Sequence, residues 1–538
     1  MSERAVIASD HPVSGTSWAP LGSPLFRWLW IASVVSNVGT WMQNVGAAWL
    51  MTILTPSPLM VALVQTATNL PTFLLTIPSG ALADLLDRRK LLIVTQSTML
   101  AAAGALGVLT LIGKTGPWTL LALTFALGIG ATMNGPAWQS IVPELVPREQ
   151  LAPAITLNSM GFNIARAVGP ALGGLVIAVS NTGDVFLLNA LSFVGVVAVL
   201  YMWKRTGHEP GLGGESVGSA MWSGLRYVRF APALHSVLIR VGAFGLCASA
   251  LWALLPVRAS QGLGGGAGGY GVLLGCLGTG SVVAAGVLAP LRNRFSMDWL
   301  VGSGVVLFTL ASVCLAVLKS FPMVACAMLG GGVAWVMVMS NFNVCAQTAL
   351  PHWVRARALS LYLLVFQGAM AVGSWIWGAV ASRTSTRVAL LAASVGLLAG
   401  LFAALRYKLE ADAAMDLSPS MHWPEPELVV ELSPEAGPVL VLVEYKIDPA
   451  GADGFARAMR SLGRIRRRDG AIQWGLFEDP AQPGRFIESF LVESWGEHLR
   501  QHERITVADR ALEDRAYAFH IGENPPAVTH LIAARERE

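Results

Sequence analysis

Long apolar runs broken by short polar connections dominate roughly the first four hundred residues. Runs of spanning length fall at 26–51, 58–83, 91–113, 117–142, 152–180, 184–203, 236–258, 269–291, 299–318, 322–350, 358–381 and 388–406. At 1.5 Å per residue each can cross a hydrocarbon layer roughly 30 Å thick, so the pattern predicts twelve transmembrane helices. The runs at 91–113 and 299–318 hold no charge. The weakest break is Thr55-Pro56-Ser57-Pro58, where only the prolines and the excess length separate two helices.

Beyond Lys408 the pattern changes. Pro419, Pro424, Pro426, Pro434 and Pro438 mark a linker. Strand-like alternation follows at Val439–Ile447, a helical pattern at Gly454–Arg468, strands at Ala471–Phe477 and Arg485–Val492, a helix at Glu497–Phe519 and a last strand at Ala527–Ala533. The order βαββαβ predicts a ferredoxin-like sheet with helices on one face. The expected fold is an all-α polytopic membrane protein with 12 transmembrane helices in two six-helix repeats, plus a C-terminal α+β ferredoxin-like domain. Its expected parts are a tail at 1–22, bundles at 23–203 and 236–406, a connection at 204–235 with an amphipathic helix near 219–230, a linker at 407–437 and a soluble domain at 438–538.

Composition agrees: of 538 residues 54% are hydrophobic and only 13% charged, and no charge falls between Arg27 and Asp84. The net charge of +4 is too small and scattered to point to nucleic acid. Basic residues favour the connections on the side of the N-terminus, Arg88, Arg89 and Lys90 among them, which places both termini in the cytoplasm of a bacterial-type inner membrane. The polar, Pro-containing start shows no cleavable signal, so the first span reads as retained. Five cysteines lie far apart in apolar stretches, read as small buried hydrophobes, and no cofactor is expected.

The halves resemble each other. Gly80, Leu82, Ala83 and Arg88 recur as Gly286, Leu288, Ala289 and Arg294 at a constant offset of 206. Gln139 and Pro143 match Gln347 and Pro351, and Ala167-Val168-Gly169 echoes Ala371-Val372-Gly373. Two parallel repeats with a site between them near mid-membrane are an architecture of alternating-access carriers.

Gly80, Asp84, Arg89 and Lys90, with Arg88, form a loop after the second span that resembles the signature of the major facilitator superfamily, within it the drug- and siderophore-exporter (enterobactin-type) branch. Asp87 stands where many members have Gly, and Leu85 replaces a usual basic residue. The resemblance implies a gating role for this loop, with Asp84 pairing in one conformation only; anchoring at the headgroups is the alternative. In the fifth span Gly161, Gly169, Pro170, Gly173 and Gly174 are similar to the antiporter motif of the family's exporters, which implies export; close packing is the other reading. Proton coupling is likewise implied by the resemblance. The acids between Arg27 and Arg406 (Asp84, Asp87, Glu144, Glu149, Asp184, Glu209, Glu215, Asp298) all lie at span ends or in loops, and Thr124 stands where the family has a basic residue.

Intramembrane polar residues are costly in lipid and should face inward. Candidates for a substrate cavity are Asn37, Gln43, Gln65, Asn69, Asn163, Arg166, Asn341, Gln347 and Gln367, with Asn44 and Asn343 beside them. Helix–helix hydrogen bonds would use the same residue types. Arg166 could attract an anionic substrate or a carboxylate, or tie to backbone carbonyls; Arg240, near a span end, should snorkel. Trp41, Trp49, Trp138, Trp252, Trp375 and Trp377 either shape an apolar pocket or anchor at the interfaces.

The soluble domain resembles the antibiotic-biosynthesis-monooxygenase type of dimeric α/β barrel at Arg468-Asp469-Gly470-Ala471, Trp474 and Ser494 to His502, which implies self-association. His498 and His502 share a helix face and could hold a metal or a haem-like ligand; packing is the favoured account, and no catalytic activity is carried over. The leading expectation is a carrier exporting a small hydrophobic or siderophore-like molecule. Rivals are an importer of the same fold and a membrane-anchored enzyme or sensor acting through 438–533. No phosphate-binding Gly-x-x-x-x-Gly-Lys-[Ser/Thr] loop is present, which disfavours an ATP-driven pump.

Overall fold

The computed structural model describes residues 18–203, 226–351, 353–409, 416–423 and 432–534. Among the described residues, twelve helices of 21–31 residues come first: α1 Pro24–Leu54, α2 Pro58–Leu85, α3 Arg88–Leu111, α4 Pro117–Leu145, α5 Leu151–Val179, α6 Thr182–Met202, α7 Pro232–Gly262, α8 Gly266–Arg292, α9 Met297–Val317, α10 Phe321–Thr348, α11 Arg355–Arg383 and α12 Thr386–Arg406. Eleven are long and apolar enough to cross a membrane. The exception is α1, whose Ser33, Ser36, Asn37, Thr40, Gln43 and Asn44 dilute its hydropathy.

The starts follow local chemistry. Pro24, Pro58, Pro117 and Pro232 open their helices where a missing N–H costs nothing. Asp87 accepts from the Lys90 amide at 3.0 Å and caps α3, which brings Arg88–Lys90 into the helix. Asp87, one of the departures from the pattern that the loop resembles, is therefore a helix cap.

The same packing plan occurs twice. In the first half α1 packs on α5 and α6, α3 on α4 and α6, and α2 on α4; in the second, α7 packs on α11 and α12, α9 on α10 and α12, and α8 on α10. Two equivalent pairs, α2 with α11 and α5 with α8, join the halves.

After the bundle come β1 Val439–Lys446, α13 Ala452–Asp469, β2 Gln473–Glu478, β3 Arg485–Val492, α14 Trp495–Arg504, α15 Val507–Tyr517 and β4 Ala527–Ile532. All neighbours in the sheet order β2-β3-β1-β4 are antiparallel. The single helix expected at 497–519 is two, because Thr506 starts a new one: its side chain and that of Asp509 cap each other's backbone. The expected linker is partly built in. Ser420 donates its amide to Ile505, and His422 and Trp423 reach Glu513 at 2.8 and 3.0 Å. Of the expected amphipathic helix, Arg226–Phe230 is helical and 219–225 lies outside the described residues.

The soluble domain meets the bundle on the side where α1, α7 and α11 begin, called here the near side. Arg226 pairs with Glu497 at 2.8 Å, Arg468 lies over the Tyr227 ring, and Arg504 lies 4.4 Å over Trp353 in the α10–α11 connection.

Candidate transport cavity

The halves enclose a cavity of about 610 Å³. Trp41 and Asn44 of α1, Gln65 and Asn69 of α2, and Phe162, Arg166 and Pro170 of α5 line it from the first bundle. Trp252 of α7, Tyr270 of α8, Trp335 and Asn343 of α10, and Phe366 and Gln367 of α11 line it from the second. Aromatic walls with a few amides suit a ligand that is mainly apolar but carries some polar groups. Gln367 reaches across to Asn69 at 3.5 Å, one of few polar links between the halves.

Four of the nine expected polar residues, Gln65, Asn69, Arg166 and Gln367, are brought together there. The other five do not belong to the described lining. Gln43 accepts from Asn189 at 3.2 Å and ties α1 to α6. Asn341 accepts from Arg292 at 2.8 Å. Asn37 and Asn163 donate within their own helices, to Ser33 and to the Ser159 carbonyl, and Gln347 donates to Asn343. Sequence gives residue type but not the face a helix turns inward, since lipid and protein interior both favour apolar residues. Phe162, Tyr270, Trp335 and Phe366 carried no signal of their own among so many apolar positions. Of the tryptophans singled out, Trp41 and Trp252 line the cavity, Trp377 donates to the Leu246 carbonyl at 2.8 Å, Trp49 stacks on Tyr270, Trp138 packs near the α4 end and Trp375 is exposed.

Beyond the cavity, on the side away from the soluble domain (the far side), the halves touch closely. A Cβ built on Gly174 would lie 2.7 Å from the Gly271 Cα, and one on Gly378 2.4 Å from the Ala62 Cβ. Leu59 donates its amide to Ser382 at 2.9 Å, and Thr66 its hydroxyl to the Ala371 carbonyl at 3.0 Å. Gly161, Gly169 and Gly173 instead bring α5 against α1, at Val34, Trp41 and Met42. The motif thus serves two seams: three glycines close one within the first bundle, and Gly174 closes one between bundles. Toward the near side, a Cβ on Gly80 or Gly286 would meet nothing within 4 Å.

Around the loop after α2, Arg88 pairs with Glu144 at 3.0 Å, and Arg89 donates to the Leu200 and Tyr201 carbonyls that end α6. Lys90 is exposed. The side chain of Asp84 lies outside the described residues. Arg240 does not snorkel: it is buried, pairs with Asp298 and donates to the Tyr407 carbonyl, because Asp298 at the start of α9 offers a counter-charge within reach.

In the soluble domain His498 and His502 face each other, Nε2 to Nε2 at 3.4 Å, with the His530 ring 4.8 Å from that of His498. Burial and the neighbouring imidazoles push His498 down to about 3; burial, His530 and Arg466 push His502 down to about 4. Among the described residues no three His, Cys, Asp or Glu side chains are arranged to hold a metal ion.

Two packed helical halves around a central cavity define a membrane transporter. The chain belongs to the family described as "Transmembrane secretion effector", major facilitator transporters whose model matches residues 15–538. It is 27% identical over 175 residues to the staphyloferrin A transporter of Staphylococcus aureus, covering 32% of this chain and 44% of that one. It is 24% identical over 381 residues to the multidrug efflux pump Tap of Mycolicibacterium fortuitum, covering 68% and 91%. A bacterial homologue of the human lysosomal transporter spinster, in an inward-facing and unoccupied conformation, shares the fold with a TM-score of 0.56 at 15% identity, over 73% of this chain and 98% of that one.

Proposed function

We propose that this protein is a secondary active transporter that exports a small hydrophobic or siderophore-like molecule from a bacterial cell by alternating access. The carrying observation is an asymmetry along the helix pairs that join the halves: backbones touch at Gly174–Gly271 and Gly378–Ala62 on the far side, while Gly80 of α2 and Gly286 of α8 meet nothing within 4 Å on the near side. With both termini in the cytoplasm, as the basic connections favour, this asymmetry supports reading the structure as a cytoplasm-facing state. Twelve spanning helices in two repeats, with α1 as a polar spanning helix, fit this cycle. Relatives named as a multidrug efflux pump and a macrolide efflux protein support export, and one named as a staphyloferrin A transporter supports a siderophore-like substrate. Proton coupling, which the family resemblance implies, has no carboxylate to carry it among the described residues lining the cavity.

The strand order supports reading the C-terminal domain as ferredoxin-like. Its uncovered sheet face presents Leu440, Leu442, Phe477, Ile487, Leu491 and Leu531, which supports self-association through that face.

The test is counterflow in proteoliposomes with a panel of dyes, antibiotics and catechol siderophores. Saturable exchange should appear for at least one compound and fall at least tenfold in Asp84→Asn, with the protein still folded and inserted. Full activity in that variant would remove the gating role of Asp84.

A further inference from the structure

Arg166 sits in the middle of α5 and lines the cavity. Its Nε is buried with no hydrogen-bond partner, and no described residue pairs with its guanidinium or offers it an aromatic face. Three arginines in α7 and α8, which also flank the cavity, are satisfied by the chain itself. Arg240 has Asp298, Arg258 has the Leu315 and Leu318 carbonyls at 3.0 and 2.9 Å, and Arg292 has Asn341 and Ser340 at 2.8 Å. An ionised group this deep in a membrane protein needs a counter-charge or water. Arg166 has neither from the protein, and what it faces is the cavity.

Among the described lining residues Arg166 is the only charged one, and the sequence places every acid between Arg27 and Arg406 at a span end or in a loop. A cation in this cavity would meet repulsion in a medium of low dielectric and no carboxylate to offset it. An anion would meet a guanidinium with free donors, the amides of Gln65, Asn69 and Gln367, and aromatic walls for an apolar body.

We propose that the cavity takes an organic anion with an aromatic or apolar body, held by Arg166, and that the substrate's own charge couples its export to the membrane potential. This rests on the exporter reading above. The charge balance is simple. The loaded crossing moves the substrate's negative charge together with Arg166, the empty return moves Arg166 back, and the net charge carried per cycle is the substrate's. An inside-negative potential of 100 mV then holds a monoanion at roughly 50-fold higher concentration outside, with no proton-carrying side chain required.

The experiment uses the full chain in proteoliposomes loaded with carboxyfluorescein, an aromatic anion, or with ethidium, an aromatic cation. Valinomycin and a potassium gradient set the lumen negative, and strong buffer at equal pH on both sides holds the pH gradient at zero. Saturable carboxyfluorescein efflux is expected, rising several-fold between 0 and −100 mV and unchanged when a pH gradient is imposed at fixed potential. Arg166→Gln should lower it at least tenfold, and Arg166→Lys, which keeps the charge, should retain part; equal melting temperatures in detergent show that the variants fold. Ethidium efflux without carboxyfluorescein efflux, dependence on the pH gradient but not on potential, or an Arg166→Gln rate equal to the parent would each overturn the anion inference and leave an exporter. Saturable efflux of neither probe would overturn the anion inference, and exchange of another compound in the counterflow panel would leave the exporter reading standing.

Discussion

The membrane cavity and the core of the soluble domain each enclose an arginine, and the two are treated in opposite ways. Arg466, in α13, is 3% exposed; it donates to Glu488 at 3.2 Å and to Glu513 at 2.7 Å, and lies 4.6 Å from the Trp423 ring. Burial pushes the Glu513 carboxyl up, but the Arg466 charge with donors from His422 and Trp423 overrides it and holds it at about 2. Arg166 has none of this. Where a buried charge builds the fold the chain supplies its partners, and where it is left bare the partner has to come from outside.

Three stability measurements can break or sharpen that contrast. Arg466→Ala should do the most damage, since it strands two carboxylates; we expect about 3–5 kcal/mol of destabilisation, read as early melting and proteolysis of the soluble domain while the bundle persists. Next comes pH. His498 and His502 are held neutral far below the ordinary histidine range, so between about pH 6.5 and 4 the unfolded domain binds more protons than the folded one. Stability is present above that window and falls with pH inside it. Melting of the domain should drop by several degrees between pH 7.5 and 5, and His498→Gln with His502→Gln should flatten the slope. Smallest is Arg166→Gln, which removes no native partner and should leave the melting temperature unchanged or slightly raised. A large loss of stability there would mean that Arg166 serves the fold after all, and the contrast would fail.

The helices were legible because lipid demands a long apolar run wherever the chain crosses. Even the thin break at Thr55–Pro58 is real, with α1 ending at Leu54 and α2 starting at Pro58. The apolar signal stops at the hydrocarbon edge, but capped helices do not: α3 starts at Arg88 rather than 91, and α11 runs over Arg355–Arg383 rather than 358–381. In the soluble domain alternation found β3 to the residue, while the Thr506 cap that splits one helix into two was written in the sequence and missed. The cavity was legible only in residue type. Gln65 and Gln43 look alike on a page, and the turn of a helix sends one to the cavity and the other to Asn189.

The far-side seam joins glycine backbones, a hydroxyl and two carbonyl or hydroxyl acceptors, and among the described residues no ion pair crosses it. Parting such a surface strips no charge of a partner, so dissolved salt has nothing there to screen. On the near side the Arg88–Glu144 pair joins α3 to α4 within the first bundle, so it too stays whole when the halves part. In the alternating-access cycle proposed above, opening the far-side seam would answer to the lateral pressure of the lipid and not to ionic strength.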